Sequence, residues 1–234
     1  MRIAFFLHII VVFFVMQAAV YAKGFAPWVG EDYTGNPCNG GAMDYGPFDY
    51  NNKKHKIEKL PIVEKHHFML SVEKLVNSEN YRSATHVLGN VGYTIRAFPN
   101  HHRALATLIR YYVRELKKNN FKNTATDIAR KIRGTPPECY LQRAINFSPN
   151  DGNVFALTGY YTHQINRLED AESAYRSAIK LSPKNSEIHY NYGLLLIQNQ
   201  RYEEARVQAK IAYKLGYPLP GLKRRLQKAG YDFQ

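Results

Sequence analysis

Residues 152–185 read GNVFALTGYYTHQINRLEDAESAYRSAIKLSPKN and residues 186–218 read SEIHYNYGLLLIQNQRYEEARVQAKIAYKLGYP. Placed one above the other, Gly159, Ala171, Tyr175 and Ala178 fall on Gly193, Ala205, Ala209 and Ala212 at a constant separation of 34 residues, and Pro183 falls on Pro218 at 35. Small side chains recurring at fixed positions mark close helix crossings, because Gly or Ala admits a neighbour that a larger residue excludes. Gly159 and Ala171 suit the crossing within one hairpin, Ala178 makes room for the next, and the proline ends the unit. Each stretch thus predicts a helical pair: Gly152–Ile165 with Leu168–Leu181, then Ser186–Asn199 with Tyr202–Leu215, through the polar turns Asn166-Arg167 and Gln200-Arg201. Neither pair is stable alone, so the two are expected to stack.

This period, with small residues at the crossings and a closing proline, resembles the tetratricopeptide repeat (TPR). The resemblance implies an all-α, TPR-like α-solenoid of antiparallel helix pairs; an ordinary helical bundle with coincidental spacing is the competing reading. One period upstream, Ala125, Ala144 and Pro149 occupy the places of Gly159, Ala178 and Pro183, but Pro136-Pro137 falls where a helix-B alanine belongs, so that repeat is degenerate. Downstream, Leu219–Ala229 places Leu222 and Leu226 opposite Lys223, Arg224, Arg225 and Lys228, which suits a closing helix over the last repeat's open face. Further upstream, Ile62, His66, Met69, Val72 and Val76 predict one apolar helix face. In Tyr93–Leu105 a helix is expected to end at Phe98, Pro99 to break it and Asn100 to cap the next.

The N-terminus reads as an export signal. Met1-Arg2 is positive, Ile3 to Met16 is almost wholly apolar, and Val20-Tyr21-Ala22 offers a cleavage site after Ala22. An uncleaved anchor is the alternative, since Ile3 to Ala22 is about long enough to span a bilayer. Residues 23–60 are rich in Gly, Pro, Asn and Tyr, a density of breakers that predicts irregular structure. The expected organisation is a leader at 1–22, an irregular segment at 23–60, divergent helical hairpins at 61–118, a degenerate repeat at 119–151, repeats at 152–185 and 186–218, and a capping helix with tail at 219–234. No membrane span is expected after cleavage.

Export permits a disulfide between Cys38 and Cys139, the two cysteines of the chain. Such a bridge ties the irregular segment to the helical body and is worth about 4–5 kcal/mol on the chain-entropy account. Two free thiols or a cysteine nucleophile are the rival readings, the latter disfavoured because no neighbour visibly lowers either thiol's pKa.

Cys38-Asn39-Gly40, the run Tyr45 to Tyr50, Tyr93–Leu105 and Leu215–Leu222 together resemble a group of exported proteobacterial TPR proteins. The likeness spans nearly the whole mature chain and implies a fold and a periplasmic or secreted location, without an activity.

With 234 residues, 45% hydrophobic and 22% charged, the chain is not wholly disordered, and two cysteines exclude a four-cysteine metal site. A mean hydropathy of −0.44 excludes a polytopic membrane protein. The net charge of +13 is gathered partly in clusters such as Lys53, Lys54 and Lys56 or Lys223, Arg224 and Arg225. Solvated surface is the ordinary reading of these clusters; attraction to an anionic envelope surface or polymer is the second, and nucleic acid is disfavoured for an exported chain. Phosphate-loop, Gly-x-Ser-x-Gly, His-Glu-x-x-His and calcium-loop motifs are lacking, so no enzyme activity, cofactor or resident metal is expected. The doublets His66-His67 and His101-His102 remain the best case for a metal-dependent enzyme or hydrolase. Neighbours on a helix point about 100° apart and do not chelate as an i, i+4 pair does.

If the TPR resemblance holds, groove positions on the first helix of each pair fall on Asn153, Tyr160, His163, Gln164, Tyr190, Leu194 and Gln198, with Asn191 beside them. They imply a non-catalytic scaffold that takes a peptide or helix of another envelope protein. The bland alternative is that Tyr160 and Tyr190 only fill space between repeats. TPRs that bind a terminal carboxylate place Lys and Asn where this chain has Ala156 and Tyr160; Asn191 alone fits that pattern.

Overall fold

The computed structural model describes residues 26–42 and 45–232; the expected leader and its cleavage boundary lie outside them. Twelve helices occur among the described residues: α1 (Lys53–Glu58), α2 (Leu60–His67), α3 (Leu70–Glu73), α4 (Tyr81–Ala97), α5 (His102–Lys118), α6 (Ala125–Ile132), α7 (Pro137–Phe147), α8 (Gly152–Gln164), α9 (Leu168–Leu181), α10 (Ser186–Gln198), α11 (Tyr202–Lys214) and α12 (Gly221–Lys228). The described part is all-α, with one isolated bridge between Glu31 and Pro37. No described helix is long and apolar enough to cross a membrane.

The C-terminal pairs α8–α9 and α10–α11 pack as the small residues demand. Ala171, Ala178, Ala205, Ala209 and Ala212 are fully buried, and a Cβ on Gly159 would stand 2.8 Å from the Tyr175 ring. Gly193 serves a different contact: its missing Cβ admits Leu222 of α12. Leu222 and Leu226 are both fully buried there, each worth about 1.5–3 kcal/mol of transfer free energy. Asp151 and Asn185 start α8 and α10 by accepting from the backbone N–H groups of Asn153 and Glu187. Between the pairs, Glu172 accepts from Arg176, Tyr192 and Arg201, and Arg201 leads the bonds that hold its carboxyl down at about 2.

The N-terminal half is built differently. Its core gathers large side chains, Tyr111, Tyr112, Ile109, Leu105 and Tyr161 among them. Cys38 and Cys139 form a disulfide with 5.3 Å between Cα atoms, clamping the segment before α1 to α7. Nearby, the buried Arg143 guanidinium donates to the carbonyls of Ala26, Ile95 and Arg96 and lies 5.1 Å from the Trp28 ring. It thereby closes the C-terminus of α4, where unpaired carbonyls favour a cation. Burial lowers its pKa to about 10.

Three local expectations are corrected. Ile62 to Val76 is not one helix face: α2 stops at His67, α3 is a separate turn, and Ile62, Met69 and Val76 are exposed while Val63, Phe68, Val72 and Leu75 are buried. Leu75 and Asn77 at positive φ of 57° take the chain out of any continuous helix there. The segment 23–60 is not irregular throughout, because the Asn52 side chain accepts from Lys54 and His55 N–H and starts α1. Asn100 does not cap α5. His101 does, its Nδ1 accepting from Ala104 N–H at 3.1 Å, because the Asn100 amide is buried in a network with distant residues.

Candidate functional site

Two cavities open along α8, and they divide the expected groove residues. The first, about 460 Å³, contains Asn153, Tyr160 and Asn191 from α8 and α10. The second, about 530 Å³, contains His163, Gln164 and Gln198 with Lys117 and Phe121. Tyr190 lines neither cavity: it is buried and stacked on Tyr217 with ring centroids 4.1 Å apart. Leu194 is likewise absent from both linings and packs against the core of the C-terminal pairs.

One wall of the first cavity was not foreseen. His102, Arg103, Ala106 and Arg110 of α5 face Asn153, Tyr160 and Asn191. Lacking a 34-residue counterpart, they escaped the alignment, although His102, Ala106 and Arg110 lie four residues apart, the spacing of one helix face. Arg110 donates to the Glu73 carbonyl and to Thr107 Oγ1 and has no ion-pair partner among the described residues. Arg103 is committed to Glu73 and Glu64. Asn153 accepts from the Asn185 amide at 3.2 Å, whereas the half-buried Asn191 amide has no hydrogen bond among the described residues. Tyr160, 36% exposed, offers a broad face. The opposite rim carries Glu187.

The second cavity is more self-contained. His163 Nε2 and Gln198 Oε1 are 2.9 Å apart, the Gln198 amide donates to Asn166, and Lys117 donates to Gln164 at 2.7 Å. Burial leads the lowering of the His163 pKa, which keeps the ring neutral. Its polar groups thus spend their hydrogen bonds on one another.

Beside the first cavity, a buried network holds the N-terminal segment against α5 and α8. Asp151 Oδ2 accepts from Asn51 at 2.7 Å and Asn100 at 3.1 Å, and lies 2.7 Å from His102 Nε2. Burial works to raise the Asp151 carboxyl, but the bonds from His102, Asn100 and Asn51 outweigh it and leave its pKa lowered. Asn100 also accepts from Tyr50 N–H and donates to Asp49. His101, fully buried, has Nε2 at 3.1 Å from Glu64 Oε1. Because its Nδ1 already accepts from Ala104 N–H, the proton sits on Nε2 and the ring is neutral; burial, the leading cause, lowers its pKa against the pull of Glu64. The contact with Glu64 is therefore a hydrogen bond from a neutral imidazole, not an ion pair.

The two histidine doublets do not converge. His67 pairs with Asn90 and stacks on Tyr93, His66 is exposed, and His101 and His102 reach Glu64 and Asp151 in different directions. Among the described residues no group of three or more His, Cys, Asp or Glu is placed to hold a metal ion.

The tetratricopeptide repeat profile matches residues 164–214, which run from the end of α8 through α11. An uncharacterised protein of Haemophilus influenzae is 28% identical over 72 residues, 31% of this chain and 40% of that relative's length. Among solved structures, a MamA mutant covers 73% of this chain and 90% of its own at 17% identity and a TM-score of 0.42. MamA MSR-1 and MamA AMB-1 each cover 69% of this chain, and 90% and 93% of their own, at 17% and 16% identity and TM-scores of 0.39. This chain is thus similar to TPR proteins in its repeat, and its architecture is an all-α, TPR-like solenoid of antiparallel helix pairs closed by α12.

Proposed function

We propose that this protein is a non-catalytic scaffold of the bacterial cell envelope, periplasmic or secreted, that holds an extended segment of another envelope protein between α5, α8 and α10. The observation that carries this reading is the first cavity: an open groove on the repeat face with a free amide at Asn191, an aromatic face at Tyr160 and, at Arg110, a guanidinium held by a carbonyl and a hydroxyl with no ion pair among the described residues. Asparagine amides supply the donor and acceptor an extended backbone needs, and an aromatic side chain gives large contact area at low entropic cost. Arg110 selects a segment with an acidic residue near that end. The disulfide supports an oxidising compartment.

A photo-crosslinking residue placed at position 160, with a second at the exposed Val207 of α11 as control, tests this in the native envelope. The groove reading expects a discrete adduct from 160 and none from 207. Equal capture at both positions, or none at 160, contradicts it.

A further inference from the structure

A third cavity, about 520 Å³, lies between α4, the α6–α7 turn and the segment Asn39–Gly41, on helices other than those of the repeat groove. Two arginines line it, Arg96 and Arg133, and no carboxylate does. The exposed Arg133 guanidinium has no hydrogen-bond or ion-pair partner among the described residues, while its backbone N–H closes α6. The Arg96 guanidinium meets the Tyr140 hydroxyl, an approach that Gly92 permits: a Cβ there would stand 2.8 Å from Tyr140 Oη and 3.3 Å from Arg96 Nη1. Arg103 and Arg201, by contrast, each meet two glutamates. Two guanidiniums lining one cavity that no carboxylate lines offer an anion a pair of charged donors.

The floor supports the same conclusion. Gly89 sits inside α4, where glycine is a poor helix former, yet nothing lies within 4 Å of the Cβ it lacks. Packing therefore does not explain it, and its effect is to leave the cavity open above the helix. Leu88 and Ile132 add an apolar side. The remaining wall is held in place on purpose-built contacts: the Cys38–Cys139 disulfide, Thr135 Oγ1 donating to Asn39 O at 3.1 Å, and Trp28 Nε1 donating to Gly41 O at 2.9 Å. The motif Cys38-Asn39-Gly40, which no feature of the repeat groove uses, thus becomes a cavity wall.

We propose that this cavity binds a small organic oxyanion, its charged group held by Arg96 and Arg133 and its body lying over Gly89. The volume exceeds what a bare inorganic ion fills and suits a compact metabolite-sized molecule.

The test is calorimetric titration of the oxidised full chain with glycerol phosphate, alongside vesicles containing an anionic phospholipid. Saturable binding of glycerol phosphate is expected, weakened at least tenfold by Arg96→Gln with Arg133→Gln. Gly89→Leu should abolish it without lowering helicity or melting temperature, since leucine favours the helix and the space is empty. Three results overturn the proposal: no saturable binding by the unaltered chain, binding to the vesicles alone, or binding that survives both the arginine pair and Gly89→Leu.

Discussion

The two halves of the molecule hold helix pairs together by opposite means. In 152–214 small residues let helices touch, and each pair leans on the next through alanines that are fully buried. In 26–151 large aromatic and aliphatic side chains set the spacing, and the chain adds a disulfide, a buried arginine and a buried Asp–Asn–His network. Repetition supplies its own template, because a solution that works at one crossing works at the next. Where the repeat degenerates, long-range tethers must replace it. The first cavity lies where the two halves meet, with α5 from one and α8 and α10 from the other.

The largest expected effect comes from removing the covalent tether. Cys38→Ala with Cys139→Ala should cost up to about 4–5 kcal/mol in chemical denaturation, with amide protons of α4–α7 losing protection before those of α10 and α11. Uniform loss across both halves in hydrogen exchange would show one cooperative unit and dissolve the contrast. Next, Gly159→Val places a side chain against the Tyr175 ring and should cost about 1–3 kcal/mol, measured by the same denaturation. A variant as stable as the parent would mean that the close crossing carries no weight.

Acid should act first through the two histidines whose pKa values burial lowers, His101 in the N-terminal half and His163 in α8. His101 is neutral when folded and its pKa is lowered, so the unfolded chain binds the extra proton and stability must fall as pH drops below the ordinary value of 6.5. Protonation would also turn Nδ1 into a donor facing Ala104 N–H, with Glu64, Arg103 and Glu73 the charged neighbours. The carboxylates Glu64 and Asp151, whose pKa values are lowered, add their loss only at more acid pH. His101→Asn keeps a capping side chain and should flatten the slope just below pH 6.5 in thermal melts; an unchanged slope rejects the assignment. Smallest is the bridge between repeats: Glu172→Gln should cost about 0.2–1 kcal/mol per ion pair lost, most visible at low salt.

How much of this could be read in the sequence follows the same division. Gly159, Ala171 and Ala178 are legible because a second copy stands 34 residues on, and α12 is legible because Leu222 and Leu226 need a surface to cover. Arg110 carries no such mark, since no repeat copy assigns its face. Asn100 misled because local preference makes asparagine a cap, while its actual partners, Asp49 and Asp151, are each 51 residues away. Tyr190 occupied a groove position by arithmetic, but Tyr217, from the turn before α12, closes over it. The stripe from Ile62 to Val76 failed because periodicity is blind to the break after His67.

The most direct test of the groove compares two variants against the partner captured at position 160. Tyr160→Ala with Arg110→Ala should weaken binding by about 1–4 kcal/mol, whereas Arg224→Ser with Arg225→Ser, on the exposed face of α12, should change mainly its salt dependence. If the groove variant binds as the unaltered chain does while the α12 variant does not, association runs through the basic surface and the scaffold reading is contradicted.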